Sequence, residues 1–454
     1  MHSTTRPVRL AVLALPLALL LAACGHDMPE GGLLGAGAAS TTAAPAAAGS
    51  SDPGSLGDAK HLCGPGTGTP PPSMERGVTN TEMKIGVVND ATNTLLPGLG
   101  QQYVDTAKAF AAWCNAAGGI NGRKLTIVNR DGQLTNQAAN TLDACDSDFM
   151  LVGGSTPADA QTLAPRTDCD LPTMPLYPAD DTVGSPLQAS ITRSFAKQEN
   201  VAGVKLLTDK YGDAFQRMGI VQIDLANYVE PTDRMRATLE DAGLAHFVSY
   251  QKIPQSADSA RTYVQPLVGK AKSLYAPVIA LPIFFQAMTD VGYDPDVTVD
   301  LTGNYDTWET VRAIQTAPPK NPVYSAVEGY PVDLADQNPT MQAIAPLNPP
   351  NHGEKRLDIS AQRIWATWIL FAQSASACTT KLTGKCVIDN ALAQKDFTGG
   401  GLLAPTDISD PYKVSPCRVI IQVTGKDLLY DEKLTNPTDG VFNCDPGNVL
   451  PTKG

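Results

Sequence analysis

The sequence predicts an α/β protein of two lobes in tandem, each a mainly parallel sheet flanked by helices. Three observations carry this. The length of 454 residues exceeds one ordinary domain, and 43% hydrophobic content suffices to bury a substantial core. From Glu82 onward, short apolar runs alternate with amphipathic stretches of helical length, the pattern of strands joined by crossover helices. The alternation starts afresh after about Phe195, which makes one lobe into two.

The chain opens on a segment that does not belong to this fold. In residues 1–24, MHSTTRPVRLAVLALPLALLLAAC, Arg6 and Arg9 form a charged start, Leu10 to Leu20 an apolar run, and LAAC a small-residue cleavage site ending in cysteine. An apolar run of about a dozen residues is too short to cross a bilayer, which needs about 20. The segment resembles bacterial lipoprotein signals. That resemblance implies removal of residues 1–23 as a signal peptide, a diacylglyceryl thioether and further acyl chains such as palmitate on Cys24, and a globular part held outside the cytoplasm on the cell membrane. Residues 24–78 are dominated by Gly, Ala, Ser, Thr and Pro and predict a flexible tether, with Cys63 pinning its far end.

The elements then follow in order. MKIGVV (83–88) predicts a strand, 100–117 a helix, KLTIVNR (124–130) a strand, 133–146 a helix, 149–153 a strand, 157–167 a helix and 172–177 a strand. The second series runs helix 199–211, strand 218–223, helix 230–242, strand 245–250, helix 259–273, strand 276–282, helix 284–291 and strand 297–302. PVYSAVEGY (322–330) reads as a further strand, 358–377 as a long helix, and 417–431 as a hairpin turning at Gly425.

Charge and cysteine content exclude several functions. A formal net charge of -12, with 34 basic against 46 acidic residues, opposes a nucleic-acid partner, because phosphate contacts need clustered Lys and Arg. Setting Cys24 aside leaves Cys63, Cys114, Cys145, Cys169, Cys378, Cys386, Cys417 and Cys444, an even set without a CxxC pair. With only His246 and His352 in the globular region, no metal site and no Cys-His nucleophile is expected, and disulfides in an oxidising compartment are. Proximity pairs Cys378 with Cys386 and Cys417 with Cys444. Cys145 and Cys169 each precede a strand and meet if those strands are parallel neighbours, which leaves Cys63 and Cys114.

The stretch LVGGSTPADAQTL (151–163) runs a strand into bare backbone and two hydroxyls. In an open parallel sheet, ligands lie beyond the carboxyl ends of the strands. Gly153 and Gly154 let a ligand approach, Ser155 or Thr156 can cap the helix, Pro157 suits its first turn, and helix-terminal amides favour an anion such as a carboxylate. The competing reading is an ordinary helix cap with no ligand. GGSTP also begins like a G-x-S-x-G nucleophile elbow, but its fifth residue is Pro157 and neither histidine lies in a triad-like loop.

Residues 79–445 resemble the type I extracytoplasmic solute-binding proteins of ABC transporters, in particular the Leu/Ile/Val-binding, branched-chain amino-acid group. TNTEMKIGVV, AFAAWCNAAGGINGRKLTIVNRD, FMLVGGST, LPTMPLYPA and AVEGY carry the resemblance. It implies a first lobe of 79–194 plus 326–400, a second of 195–325 plus 401–445, three hinge crossovers, and a short tail, 446–454. It also implies ligand-binding roles for matching residues. Ser155 and Thr156 would take a carboxylate, and the Ala179 carbonyl and Asp181 an ammonium, with Asp181 standing where the family has threonine. Tyr228 and Phe284 match aromatic cleft positions, while Asn304 replaces the family's acid and Asp306 lies two residues on. Asp90 and Asn93, in NDATNTLLPGLGQQ, occupy the ligand-facing loop. Trp308, Tyr305, Phe284 and Phe285 build either an aromatic wall for the ligand or the core of the second lobe.

The expected function is capture of a small polar organic molecule (an amino acid, amide or carboxylate) by a monomer that delivers it to an ABC permease in the membrane. No cofactor and no chemistry on the ligand are expected. A sensing or scaffolding lipoprotein using the same clamp is the alternative, and an extracellular hydrolase a weaker one.

Overall fold

The computed structural model describes residues 52–94, 97–178, 183–193, 197–224, 226–254, 259–277 and 281–453, without the side chains of residues 226, 227, 281 and 282. Cys24, Ala179 and Asp181 lie outside the described residues. In the first half of the chain, strands β1 (Glu82–Asn89), β2 (Lys124–Asp131), β3 (Met150–Val152) and β4 (Thr173–Met174) alternate with helices α1 (Gln101–Ala116), α2 (Gln137–Ser147) and α3 (Ala160–Asp168). The four strands form one parallel sheet in the order β2-β1-β3-β4. β1 lies inside the sheet between β2 and β3, and Met83, Ile85 and Val87, which share one face, are fully buried. Gly86 is required there. A Cβ on it would lie 2.4 Å from Asp148 Oδ2, and that carboxylate takes both Arg130 Nε at 2.7 Å and Nη2 at 2.6 Å in a bidentate buried pair.

The next elements are β5 (Gln198–Asn200), α4 (Ala202–Lys205), α5 (Thr208–Phe215), β6 (Met218–Ile223), α6 (Ala226–Asp241), β7 (Phe247–Ile253), α7 (Arg261–Val264), β8 (Ser273–Tyr275), α8 (Leu281–Val291), β9 (Val297–Asp300), α9 (Trp308–Thr316) and β10 (Val323–Val327). After α10 (Pro339–Ile344), α11 (Ile359–Ser376) and α12 (Gly384–Leu392) come β11 (Val419–Val423), β12 (Leu428–Tyr430), α13 (Glu432–Thr435) and β13 (Val449–Pro451). A seven-stranded sheet runs β12-β11-β10-β9-β8-β6-β7, parallel from β7 to β10 and antiparallel through the β11-β12 hairpin.

Two separate interiors result. One draws on residues 56–191 and 341–408, the other on 201–327 and 404–442. The chain therefore passes between them near residues 193–200, 328–341 and 403–417. α11 is apolar almost all round and lies against α1 and β3 in the first interior, with Trp365 and Trp368 fully buried.

Several elements depart from the sequence reading, each for a physical reason. The tether expected to continue to residue 78 is packed chain from residue 52 on. Leu56, Ala59, Leu62 and Cys63 enter the first core, Cys63 bonds Cys114, and the buried Arg123 donates to the carbonyl of Thr79 at 2.7 Å. Gly57, at φ 56°, touches the backbone of Pro339 where a Cβ would not fit. The expected tail also folds: β13 pairs antiparallel with β5, so residues expected to begin a helix at 199 form a ladder instead. The helix expected over 259–273 stops early, at α7 and a 3-10 turn ending at Leu267, before Gly269 at φ 71°. β8 therefore begins at Ser273 rather than 276 and ends before Pro277, which has no N–H for a ladder.

All four disulfides form: Cys63–Cys114, Cys145–Cys169, Cys378–Cys386 and Cys417–Cys444. Alkylation of exported, non-reduced, denatured protein is thus expected to label none of these eight cysteines, and two or more labelled would contradict the arrangement. Replacing Cys63 and Cys114 by serine releases a loop of sequence separation 51. In the chain-entropy limit the loss is about 4 kcal/mol of stability in urea denaturation.

Candidate functional site

The carboxyl ends of β1, β3 and β4 deliver Asp90, Gly153 to Thr156, and Tyr177 to one region, while β9 delivers Leu301 to Asp306 from the other lobe. Gly153, at φ 70°, lies so close to Trp368 that a Cβ would be 2.6 Å from the indole nitrogen, and a Cβ on Gly154 would be 2.3 Å from the Val88 amide. The paired glycines thus let the strand end pack between β1 and α11. Helix α3 begins later than expected, at Ala160 with Asp159 before it, so Ser155, Thr156 and Pro157 form the turn that leads in.

The two hydroxyls part company in this turn. Thr156 is buried and donates to Asp90 Oδ2 at 2.6 Å while accepting from the Ala158 amide at 3.0 Å. Asp90 Oδ1 accepts from the Leu134 amide at 2.6 Å and from Gln137 Nε2 at 2.8 Å. Asn93 is buried too and donates to the Asp90 carbonyl. Thr156, Asp90 and Asn93 are therefore placed in a structural network of the first lobe. Ser155 stays half-exposed, its hydroxyl 3.3 Å from the Tyr177 carbonyl, and is the member of the pair that can turn to a ligand.

In the second lobe, Phe284 is buried against Phe285 at 5.7 Å between ring centroids, and Phe285 against Tyr305 at 6.3 Å. These rings fill the core. Trp308 donates its indole N–H to the Leu357 carbonyl at 2.8 Å and lies under the Arg356 guanidinium at 3.5 Å, holding one lobe against the other. Asn304 is exposed, and its amide donates to the Thr302 hydroxyl at 2.8 Å. Asp306 turns inward, 1% exposed, and neither carboxylate oxygen has a hydrogen-bond partner. Burial first, then the charge of Asp358, push its carboxyl well above the usual range, against the opposing charge of Arg363. Tyr228, at the start of α6, is half-buried, and burial followed by Tyr177 and Asp300 pushes its phenol up to about 12.

Sequence reasoning missed the centre of this region. Arg363 is the sole charged residue of α11, and its side chain is 5% exposed. Nε donates to Glu328 Oε1 at 2.7 Å, Nη1 to the Tyr177 hydroxyl at 3.3 Å, and Nη2 to the Thr302 carbonyl at 3.4 Å. One guanidinium thus ties a helix and a strand end of the first lobe to a strand end of the second and to the crossing after β10. Burial opposes the Glu328 charge, but Arg363 and then Arg418 outweigh it and bring the carboxyl down to about 2. Tyr103, on α1, lies within electrostatic reach of Arg363, Tyr177 and Tyr228. The signal was present in the sequence: one arginine in an otherwise uncharged 18-residue helix needs a buried partner, and Glu328 is the acid in AVEGY.

The family described as periplasmic binding protein matches residues 82–425. Among solved structures, the chain is similar to a fatty acid ABC transporter substrate-binding protein from Thermomonospora curvata, with TM-score 0.60 and 16% identity over 80% of this chain and 96% of that one. An extracellular ligand-binding receptor from Rhodopseudomonas palustris HaA2 gives 0.61 and 15%, over 77% and 100%. The branched-chain amino acid transporter substrate binding protein LivJ from Streptococcus pneumoniae, in complex with isoleucine, gives 0.60 and 15%, over 77% and 99%. No curated protein sequence matches the chain.

The divided roles of the hydroxyls make a stability test. Thr156→Ala strips the buried Asp90 of a donor and is expected to cost about 1.5 to 3 kcal/mol, whereas Ser155→Ala should cost under about 1 kcal/mol. Equal losses in urea denaturation would refute the division. Asp306→Asn should stabilise the protein near neutral pH, because it removes a carboxyl whose ionisation burial opposes. The sign follows from linkage: a carboxyl raised on folding favours the folded state in acid, and that advantage falls as pH climbs above about 4. The gap between mutant and parent should therefore close as pH is lowered toward 4, and a gap independent of pH would contradict a raised carboxyl at Asp306.

Proposed function

The chain belongs to the type I periplasmic binding proteins, and from that premise we propose that it is a membrane-anchored lipoprotein capturing a small polar organic ligand between its lobes for uptake through an ABC permease. The family places it outside the cytoplasm as a solute-binding protein. Among the described residues no helix is long and apolar enough to cross a membrane. Attachment would then rest on the acyl chains at Cys24, in LLLAAC. The lobes would divide near residues 79–194 plus 326–400 and 195–325 plus 401–445, with the ligand between them.

The observation that carries this reading is the convergence of Ser155, Tyr177, Arg363 and Glu328 with Thr302 of the opposite lobe, at the carboxyl ends of two parallel sheets. Polar groups from both lobes at one point are what a closing clamp requires, because a ligand held by both stabilises the closed form by its extra contacts. Ser155, Tyr228 and Asn304 would complete the lining, and Ala179 and Asp181, which follow Tyr177 in the sequence, are further candidates. The names of two similar proteins mention a fatty acid and isoleucine, both of which carry a carboxylate. An amino acid, amide or carboxylate is therefore the ligand class, and the working form is a monomer.

Two measurements test this. A thermal-shift screen of the mature protein, followed by calorimetry, should find a ligand in that class, and Ser155→Ala should weaken its binding about tenfold, equivalent to about 1.4 kcal/mol. Cys24→Ala should move the protein from the membrane fraction to the soluble one, because two or more acyl chains anchor where none remains. A variant that stays on membranes after a high-salt wash would refute the anchor.

A further inference from the structure

The lobes are also fastened to each other where the loop after β9 meets the start of α11. The Ile359 amide donates to the Asp306 carbonyl at 3.2 Å, the Trp308 amide to Asp358 Oδ2 at 3.4 Å, and the Trp308 indole N–H to the Leu357 carbonyl at 2.8 Å. Trp308 belongs to the second interior, Leu357 and Ile359 to the first, so this joint spans the two lobes. A cavity of about 20 Å³ lies there between Trp308, Arg312, Arg356 and Asp358, room for about one water.

Two carboxyls are enclosed in this joint, Asp306 at 1% exposed and Asp358 at 5%. Asp358 caps α11, its Oδ1 accepting from the Ala361 amide at 3.0 Å, whereas neither oxygen of Asp306 has a hydrogen-bond partner. The charges around them are mixed. Asp358, Glu328 and Asp333 lie within electrostatic reach of Asp306 and oppose its ionisation, and Arg363, itself bonded to Glu328, favours it. Arg312 lies within reach of Asp358, and Glu309, Glu354 and Arg356 line the cavity with it. Burial is the largest influence at both sites. It carries the Asp358 carboxyl up to about 6 against the amides of Ala361, Trp308 and Ser360, and the Asp306 carboxyl well above the usual range. Two enclosed acids within reach of each other are more stable sharing a proton than carrying two charges.

We propose that Asp306 and Asp358 form a pH-sensitive latch between the lobes, fastened while the pair is protonated and loosened when both carboxyls ionise. This rests on the binding-protein reading above, in which the lobes are a clamp that opens, and adds a control on its closure. Parting the lobes at this joint admits water to both groups, so their carboxyls are raised in the fastened form alone. Linkage gives the direction: fastening is favoured fully below about pH 4, and the advantage is lost as pH climbs through about 6 for Asp358, with Asp306 extending the loss upward. The clamp thus grips in acid and relaxes toward neutral pH.

The test needs no ligand. Spin labels carried on ketone-bearing residues, which spare the disulfides, replace the exposed Lys108 on α1 and Lys320 ahead of β10, and the distance distribution between the lobes is measured on the mature protein. Between about pH 5 and about pH 8 the ratio of fastened to parted molecules should fall about tenfold through Asp358 alone, given a carboxyl at about 6 when enclosed and about 4 when hydrated. Asp306→Asn combined with Asp358→Asn, checked for folding by circular dichroism, keeps a side chain that can cap α11 and removes both titrating groups, so its ratio should hold the acid value at every pH. The single variant Asp306→Asn leaves the cap untouched and should shrink the fall. A parent ratio that does not change with pH overturns the latch, as does an undiminished fall in the single variant or a persistent one in the double variant. Neither result touches the binding-protein reading, which stands or falls with the ligand screen.

Discussion

The arrangement of the lobes depends on one buried guanidinium. Arg363 sits in a helix that is otherwise apolar or neutral, and a charge in that position is tolerable only if several partners reach it. They come from three places: Tyr177 after β4, Thr302 after β9 and Glu328 on the crossing after β10. Satisfying the charge therefore requires both sheets to present their carboxyl ends to the same point. Deleting one partner would leave the other ion buried and unpaired, which typically costs about 3 to 5 kcal/mol, so the pair specifies geometry more than it adds net stability.

The first lobe is held ready for that meeting by interactions remote from it. Asp90 gathers Thr156, Gln137 and the Leu134 amide, locking the loop after β1 to the turn after β3. Gly153 and Gly154 allow α11 and β1 to approach that turn to van der Waals distance, which in turn sets where Arg363 emerges from the helix. Behind this, residues 52–78 are fastened by Cys63–Cys114 and by Arg76, which donates to the carbonyls of Cys145, Cys169 and Asp170 beside a second disulfide. A pull on the N-terminal segment would consequently be borne by the whole first lobe.

Most of the alternating strands and helices were legible in the sequence because each rests on local periodicity: β1, β2, β6 and α11 fall within a residue or two of their expected limits. What escaped was set by partners distant in the chain. β5 exists because β13 pairs with it some 250 residues on, and residues 52–78 look like linker until Gly57 meets Pro339 and Leu56, Ala59 and Leu62 enter a core built mainly from distant parts of the chain. The site was legible in its location but not in its chemistry. GGSTP marks a strand end at the cleft, yet only the fold reveals that Thr156 serves Asp90 while Ser155 is left half-exposed. Asp306 reads as a ligand acid in TGNYDTW and is instead a buried carboxyl without a hydrogen-bond partner, because no local pattern tells which way a loop side chain turns.

A protein with net charge -12 would, at long range, repel an anion. Screening limits that repulsion: at physiological ionic strength the Debye length is about 8 Å, so surface acids more than about that distance from the cleft contribute little there. Around the two arginines the balance is local and mixed, with Glu328 and Asp306 within electrostatic reach of Arg363 and Glu328 and Glu199 within reach of Arg418, in surroundings where water does not attenuate the field as it does at the surface. The other acids of this region are held in different ways. Asp90 and Asp300 are satisfied by hydrogen bonds from their own lobes, and burial raises the Asp306 carboxyl. Selectivity for a ligand's charge can thus be set by a few short hydrogen bonds in the interior, while the acidic exterior serves solubility, and the two need not agree in sign.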